Sequence, residues 1–261
     1  MADPADATAA RSRRPSRGRR ILRVVVLSVL GLLAIAVVGV VIWSQVGVMP
    51  AEAEPLAAVE ADSRLSLEER DGSLVLEPAD GGSDVGMVFI PGAKVEASAY
   101  AAKLADLVSA ADVTVVIARP WLNLAFFDLR PLSAFTDAAP AVDTWLVGGH
   151  SLGGVRACQL AEDADGLVLF ASYCAADLSA SGLPVLSLSG SADGLTTADK
   201  IADARPLLPA DATLVEIPGA AHSSFGDYGS QAGDGTPTIS DPDMTAALTA
   251  SVAELVAALP R

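Results

Sequence analysis

The chain has 261 residues, which is enough for one domain of substantial size together with an appendage. Its formal net charge is −15 at pH 7. Residues 1–23 carry seven arginines and two aspartates, a charge of +5, so the rest of the chain carries −20. A surface this acidic argues against nucleic acid, and against anionic lipid headgroups, as a binding partner.

The basic residues 1–23 come immediately before an apolar segment. Residues 24–51 contain no charged side chain, and about 20 apolar residues suffice to cross a hydrocarbon core of about 30 Å as a helix. The sequence therefore predicts a transmembrane helix over residues 24–48. Because basic flanks stay on the cytoplasmic side, we expect a single-pass protein of the cell membrane with a cytoplasmic N-terminus and an extracytoplasmic domain.

A cleavable signal peptide is the alternative for the same segment. Ala51-Glu52-Ala53 resembles a small-residue cleavage site, although the apolar part of a signal peptide usually has only about 7–15 residues. Residues 49–63, which are rich in Ala and Glu, are expected to form a linker. Residues 64–261 are expected to form the folded domain.

From about residue 64 onward, short apolar runs alternate with helical patterns. The runs predict strands, the first of them an edge strand, at residues 74–76, 86–90, 113–118, 143–148, 167–170, 184–188 and 212–217. Helices are predicted at residues 98–110, 132–138, 152–162, 197–205 and 244–259. This alternation is typical of a doubly wound, mostly parallel α/β sheet, with its ligand site at the carboxyl ends of the strands.

The most informative motif is Gly148-Gly149-His150-Ser151-Leu152-Gly153-Gly154, which contains Gly-x-Ser-x-Gly between a predicted strand and a predicted helix. That context is the one a nucleophile elbow requires. Residues 149 and 153 must be small, because strand and helix would otherwise collide at so sharp a turn. Ser151 is therefore the predicted nucleophile, held in a strained backbone conformation.

A serine needs a base to remove its proton, and the chain has two histidines. His222 lies in a small-residue loop directly after the last predicted strand, where it can reach over the strand ends toward Ser151. It is the predicted base. His150 is adjacent to the serine and is assigned to packing or to the rim of the substrate pocket.

The predicted base needs a carboxylate to orient it and to stabilise its charged form. Asp193 follows the strand at 184–188 and gives the chain order Ser, Asp, His. Asp177, after the preceding strand, is the alternative. The other aspartates near these loops are predicted only to solvate them: Asp163, Asp165, Asp227, Asp234, Asp241 and Asp243.

Two backbone N–H groups are predicted to form an oxyanion hole. One belongs to Leu152, the residue after the nucleophile, and the other to Ala93, in the loop after the strand at 86–90. Trp121 follows a strand at the same end of the sheet and is a candidate for lining a substrate pocket. The alternative is that it belongs to ordinary core beneath a loop.

The two cysteines fall in the predicted extracytoplasmic domain. Cys158 lies on the helix after the elbow and Cys174 follows the next strand, so in an oxidising compartment they can form a disulfide. The alternative is that both are small buried hydrophobic residues. No cluster of Cys and His suggests a metal site, and no cofactor is expected.

These motifs resemble those of the α/β-hydrolase superfamily over about residues 70–260. The resemblance rests on Gly149–Gly153, on Asp193 and His222, and on Pro91-Gly92-Ala93 at the oxyanion position. Within the superfamily the chain is similar to the short, lidless bacterial group related to dienelactone hydrolases. Those enzymes use a cysteine where this chain has Ser151, so their lactone substrate is not carried over. Pro91-Gly92 stands where His-Gly is more familiar, which is a departure at the second oxyanion donor.

Residues and resemblance together predict a membrane-anchored serine hydrolase, like a carboxylesterase or a lipase, that cleaves a small-molecule ester through an acyl-enzyme. Two alternatives remain open. The first is an acyltransferase that passes the acyl group to an acceptor in the cell envelope. The second is a catalytically inactive hydrolase fold that serves as an anchored binding module.

Overall fold

The computed structural model describes residues 17–259. It divides the chain into two compact units, with the division between residues 43 and 44. The first sixteen residues of the predicted basic tail, which hold the arginines at positions 11, 13 and 14, lie outside the described residues.

A single long helix, α1 (Arg17–Gln45), accounts for the described part of the first unit. Its most apolar 18-residue window has a mean hydropathy of 3.1 and is 0% buried. At about 1.5 Å per residue its 29 residues exceed a hydrocarbon core of about 30 Å. The helix could therefore span a membrane, and a signal sequence has the same features. It begins earlier than the predicted span at 24–48, because the arginines before residue 24 are good helix formers.

The predicted linker is structured in the second unit. Met49 exchanges backbone hydrogen bonds with Lys94 and Glu96, at N···O distances of 2.7 and 3.0 Å. A nine-residue helix, α2 (Ala53–Ala61), follows, and its Val59 is buried. This segment is thus attached to the sheet domain along much of its length.

An eight-stranded sheet forms the centre of the second unit, in the order β1-β2-β4-β3-β5-β6-β7-β8. The pairs β1–β2 and β2–β4 are antiparallel and all other pairs are parallel. The strands are β1 (Leu65–Arg70), β2 (Ser73–Pro78), β3 (Val85–Ile90), β4 (Val113–Ile117), β5 (Thr144–His150), β6 (Gly166–Phe170), β7 (Val185–Gly190) and β8 (Thr213–Ile217). This order confirms the predicted doubly wound, mostly parallel α/β fold.

Both faces of the sheet are buried, which explains the continuous apolar runs. In β3, Met87 and Phe89 join one core, while Val88 and Ile90 join the other. The helices are α3 (Ala101–Ala111) and α7 (Asp241–Ala258) on the first face, α4 (Ser133–Thr136) and α5 (Leu152–Leu160) on the second, and α6 (Ala198–Ala204) after β7. The loops that follow parallel strands therefore gather at one edge of the sheet.

Three elements differ from the prediction. The strand predicted at the sheet edge, at 74–76, is interior, because the half-polar β1 pairs with it and takes the edge position. The helix predicted at 132–138 is a single turn, since Pro131 and Pro140 bracket it. The last helix begins at Asp241, three residues before 244, and Ser240 caps it as the sequence Ser240-Asp241-Pro242 predicts: its hydroxyl accepts the Asp243 N–H at 3.3 Å.

Candidate active site

Ser151 lies at a sharp turn between β5 and α5. Its φ and ψ are 52° and −123°, a conformation that costs a non-glycine residue strain energy. A Cβ on Gly149 would lie 2.6 Å from the carbonyl carbon of Gly153, and one on Gly153 would lie 2.0 Å from the Ile90 oxygen. Because both neighbours are backbone atoms, only glycine fits at these positions.

A buried histidine–aspartate pair lies at the same edge of the sheet. His222 Nδ1 is 2.8 Å from Asp193 Oδ2, and both side chains are at most 1% exposed. The other oxygen, Asp193 Oδ1, accepts the backbone N–H groups of Leu195 and Thr196, each at 2.7 Å. These hydrogen bonds hold the carboxylate in place, and the carboxylate in turn orients the imidazole ring. The Nε2 atom of His222 then points away from Asp193.

Asp177, the alternative acid, lies elsewhere. Its side chain is exposed and accepts the N–H and the hydroxyl of Ser179, at 3.0 and 2.6 Å. Those hydrogen bonds lower its pKa. The residue that the structure brings to His222 is Asp193.

Ser151 and His222 line one small cavity of about 220 Å³. Its remaining lining is a mixture of polar and apolar side chains: Leu152, Val155, Ser172, Tyr173, Leu195, Thr196, Lys200 and Gln231. The volume is below the roughly 300–1,000 Å³ that is usual for drug-sized ligands. The size of this cavity therefore favours a small reacting group.

Both predicted oxyanion donors are available. The backbone N–H groups of Leu152 and Ala93 have no hydrogen-bond acceptor among residues 17–259. Leu152 lines the cavity, whereas Ala93 does not. The loop that carries Ala93 is held by the Gly92 N–H, which donates to the Tyr100 hydroxyl at 2.9 Å.

His150 lies behind the cavity and is not part of its lining. It is 1% exposed, and its ring centroid is 4.5 Å from that of His222. The Tyr100 hydroxyl, which already accepts the Gly92 N–H, is 2.9 Å from His150 Nδ1 and therefore donates its proton to that nitrogen. Burial, and then the charge of His222, hold the pKa of His150 well below 6.5. The structure thus packs His150 behind the cavity, and its assignment to packing or to the pocket rim stays a prediction.

Trp121 is also absent from the cavity lining. Its side chain is 54% exposed, and the Arg130 guanidinium carbon lies 5.7 Å from its ring centroid. Its side chain is thus exposed to solvent, and its assignment to a substrate pocket stays a prediction.

Asp234 is a site residue that the sequence prediction missed. Its Oδ1 accepts the N–H groups of His222 (3.0 Å), Gly194 (3.2 Å) and Gly235 (2.7 Å). Its Oδ2 accepts the N–H and the hydroxyl of Ser223, at 2.8 and 2.9 Å. The carboxylate thus ties the histidine loop to the aspartate loop, and the prediction that it merely solvates a loop was wrong.

Other aspartates assigned to solvation also have partners in the structure. Asp227 pairs with the buried Lys103 at 2.8 Å, and Asp241 pairs with the same ammonium group. Asp165 accepts the Trp145 N–H at 2.8 Å. These contacts lie outside the cavity at Ser151 and hold loops and helix ends in place.

Two links join the elbow and its helix to the segment after β6. The buried Ser172 hydroxyl donates to the Ser151 carbonyl at 2.6 Å. Cys158 on α5 and Cys174 form a disulfide, with Cα atoms 5.6 Å apart. No local pattern marks Ser172 as a site residue; only its position directly after a predicted strand pointed to this edge.

Within residues 17–259 no group of three or more His, Cys, Asp or Glu side chains is arranged to hold a metal ion.

Comparison with known proteins agrees with this fold. Residues 86–246, more than half of the chain, match the family model described as "Alpha/beta hydrolase family". The chain belongs to that family. The crystal structure of a predicted CIB-like hydrolase from Thermoplasma acidophilum is similar to this α/β hydrolase with a TM-score of 0.54 and 13% identity, over 73% of this chain and 99% of that one. At that identity the likeness shows a shared fold. No curated protein matches this α/β hydrolase significantly.

Proposed function

We propose that this α/β hydrolase is a membrane-anchored serine hydrolase that cleaves carboxylic esters outside the cytoplasm. Family membership supports a hydrolase-type function. The observation that carries the finer proposal is the buried His222–Asp193 pair in the cavity of a serine held at a strained elbow. A histidine oriented by a carboxylate is what a serine hydroxyl needs to become a nucleophile.

In the first half of the reaction, the Ser151 oxygen bonds to the ester carbonyl carbon while His222 Nε2 takes the hydroxyl proton. Asp193 accepts the Nδ1–H and stabilises the imidazolium. The N–H groups of Leu152 and Ala93 donate to the oxyanion of the tetrahedral intermediate. When that intermediate collapses, the bond to the alcohol breaks and His222 returns its proton to the departing alcohol.

In the second half, water replaces the alcohol. His222 removes a proton from water, whose oxygen bonds to the acyl carbon, and the same oxyanion contacts form again. Collapse breaks the bond to Ser151, the serine oxygen recovers the proton from His222, and the acid leaves. The products are one carboxylic acid and one alcohol, and the enzyme returns to its starting state.

The small cavity supports a substrate with a short acyl group. At about 220 Å³, lined by side chains such as Val155 and Tyr173, it has room for a few carbon atoms beyond the carbonyl. We therefore propose esters of short-chain acids as the preferred class.

Three features support an anchored protein outside the cytoplasm. The helix α1 is apolar over its whole central part. The basic residues precede it, which favours a cytoplasmic N-terminus. The Cys158–Cys174 disulfide is typical of oxidising compartments.

The test is the hydrolysis of short-chain p-nitrophenyl esters by the full-length chain in detergent micelles. Ser151→Ala should lower kcat/KM by about 10⁴-fold or more, since no other group can form the acyl-enzyme. Asp193→Asn should lower kcat by about 10²–10⁴-fold, because it disturbs the tautomer of His222. Ser109→Ala, at an exposed serine on α3, is the matched control and should leave the rate unchanged. A Ser151→Ala protein that retains the wild-type rate would contradict the proposal.

A further inference from the structure

Five large apolar side chains are exposed in residues 44–259, and four of them lie in or beside one loop. The five are Val46 (64% exposed), Trp121 (54%), Phe126 (52%), Leu129 (76%) and, apart from the others, Leu214 (40%). Three of them lie in the single loop that follows β4. On a domain that carries −20, an apolar cluster of this kind marks an interaction surface.

Hydrogen bonds attach the same loop to residues 44–46, at the start of the second unit. The Asn123 amide donates to the Ser44 carbonyl at 3.2 Å. Lys94 donates its backbone N–H to the Asn123 carbonyl at 2.8 Å, and its ammonium group to the Val46 carbonyl at 3.1 Å. The exposed Val46 is therefore held beside the loop that carries Trp121, Phe126 and Leu129.

We propose that Trp121, Phe126 and Leu129 insert into the headgroup region of the membrane that α1 spans. This inference rests on the proposed function in one respect, the membrane anchor. If α1 crosses the bilayer, residues 44–46 lie at its outer surface, and the loop is hydrogen-bonded to that stretch of chain. The chemistry of the loop fits that position, since tryptophan is enriched at membrane interfaces and phenylalanine and leucine gain by leaving water.

The charges of the domain and of the loop indicate which kind of lipid headgroup the loop contacts. The domain is strongly acidic overall, which disfavours anionic headgroups. At the loop, Arg130 lies over the Trp121 ring and pairs with Asp128, and Arg119 pairs with Glu69, so these charges balance. Paired charges beside an aromatic residue suit the headgroup level of a zwitterionic bilayer.

The insertion would hold the catalytic edge of the sheet near lipid. On α5, the helix that begins at the elbow, Arg156 donates to the carbonyls of Asp128 and Arg130, at 2.9 and 2.8 Å. The loop is thus joined to the element that presents Ser151. Esters at the membrane surface would then reach the site without first crossing bulk water.

The experiment uses the full-length chain in phosphatidylcholine nanodiscs, with Trp121 as the sole tryptophan in a Trp43→Phe/Trp145→Phe background. Lipids that carry a nitroxide on the headgroup should quench its fluorescence to less than about half, as expected for a side chain at the interface. Aqueous iodide should quench it weakly. A second reporter, Leu129→Trp in a chain with all three native tryptophans changed to Phe, should behave in the same way.

The matched control is Leu214→Trp in the tryptophan-free background. Leu214 is also exposed and apolar, but it lies on β8 at the far edge of the sheet. This reporter should respond to iodide and not to the lipid nitroxide. If Trp121 and Leu129→Trp respond as Leu214→Trp does, the insertion is excluded.

A carbonate wash of chains reconstituted in phosphatidylcholine vesicles separates failure of the anchor from failure of the insertion. Chains that wash off the vesicles would contradict the anchor and the insertion together. Chains that remain bound while Trp121 is quenched only by iodide would contradict the insertion alone. Ester hydrolysis, measured on the same samples, reports on Ser151 independently of both.

Discussion

The carboxylate of Asp234 accepts the backbone N–H of His222 at 3.0 Å and, with the same oxygen, the N–H of Gly194 at 3.2 Å. Gly194 is the neighbour of Asp193, so one side chain fixes the loops that carry both members of the proposed acid–base pair. Burial raises the pKa of Asp234, but the hydrogen bonds from Ser223, His222 and Gly194 together outweigh it and the pKa is lowered. The group is therefore an ionised acceptor at neutral pH.

We predict that Asp234 is a positioning residue. Asp234→Asn places an amide N–H₂ against backbone donors, so kcat should fall by about 10-fold or more while KM changes little. Asp234→Glu, which keeps the charge, should recover part of the rate. Steady-state kinetics on a short-chain ester give the measurement, and Asp211→Asn, at an exposed aspartate, is the control. Equal losses in the Asn and Glu variants would argue for a purely structural role.

The geometry of the elbow predicts that Gly153 cannot be replaced. A Cβ there would lie 2.0 Å from the Ile90 carbonyl oxygen, and neither the strand nor the helix can move away cheaply. Gly153→Ala should therefore lower the free energy of unfolding by about 3 kcal/mol or more, or abolish activity. At Gly82 the nearest atom to an added Cβ is the Thr114 hydroxyl at 3.4 Å, so Gly82→Ala should change stability by about 0.5 kcal/mol or less. Chemical denaturation measures both; similar losses would contradict the steric explanation.

The disulfide closes a loop with a sequence separation of 16 residues. In the chain-entropy account, a loop of that size stabilises the folded state by about 3 kcal/mol. The double variant Cys158→Ser/Cys174→Ser should therefore unfold at lower denaturant concentration by an amount corresponding to about 2–4 kcal/mol. The unmodified protein, denatured without reductant, should show no reactive thiol. Two free thiols in protein isolated under oxidising conditions would show that the disulfide does not form.

Because His150 is buried, we predict that the free energy of unfolding falls in mild acid. Its folded-state pKa lies well below 6.5, so the unfolded chain takes up a proton that the folded chain does not. The contribution of His150 is therefore complete above about pH 6.5 and is lost as the pH falls toward the folded-state pKa.

His150→Asn keeps an acceptor for the Tyr100 hydroxyl and removes the titrating group. Between about pH 6.5 and 5, its free energy of unfolding should fall less steeply than that of the wild type, by up to about 1.4 kcal/mol per pH unit. Denaturant titrations at several pH values provide the slopes. Nitrogen NMR of the two histidines should also show His150 neutral, with its proton on Nε2. If the free energy of unfolding changes with pH equally in the two proteins, His150 has the same pKa in the folded and the unfolded chain.

Much of the fold was accessible from the sequence because the parallel strands are buried on both faces. Runs such as 86–90 and 113–118 must be apolar at every position, and that signal is local. The half-buried β1 has no such signal, since its apolar and charged residues alternate and its role depends on pairing with β2. The 53–61 helix was missed because its local composition has two interpretations: a short Ala- and Glu-rich segment is typical of a helix and also of a linker.

At the site, the elbow was predictable because its constraint acts within five residues. The proximity of Asp193 and His222 was predictable because each lies in a loop after a strand of the same sheet. Asp234 was not, since its partners His222 and Gly194 are 12 and 40 residues away. The exposure of Trp121 was not predictable for a related reason. The sequence shows that it follows a strand at the catalytic edge, but not that the loop turns its side chain toward solvent.

The most direct test of the central claim is the intact mass of the full-length chain after treatment with a fluorophosphonate, which labels only activated serines. We predict one adduct per wild-type chain, none on Ser151→Ala, and much slower labelling of His222→Ala, because His222 removes the proton from the Ser151 hydroxyl. A folded wild-type protein that acquires no adduct, or one that is labelled equally after Ser151→Ala, would contradict the assignment of Ser151 as the nucleophile.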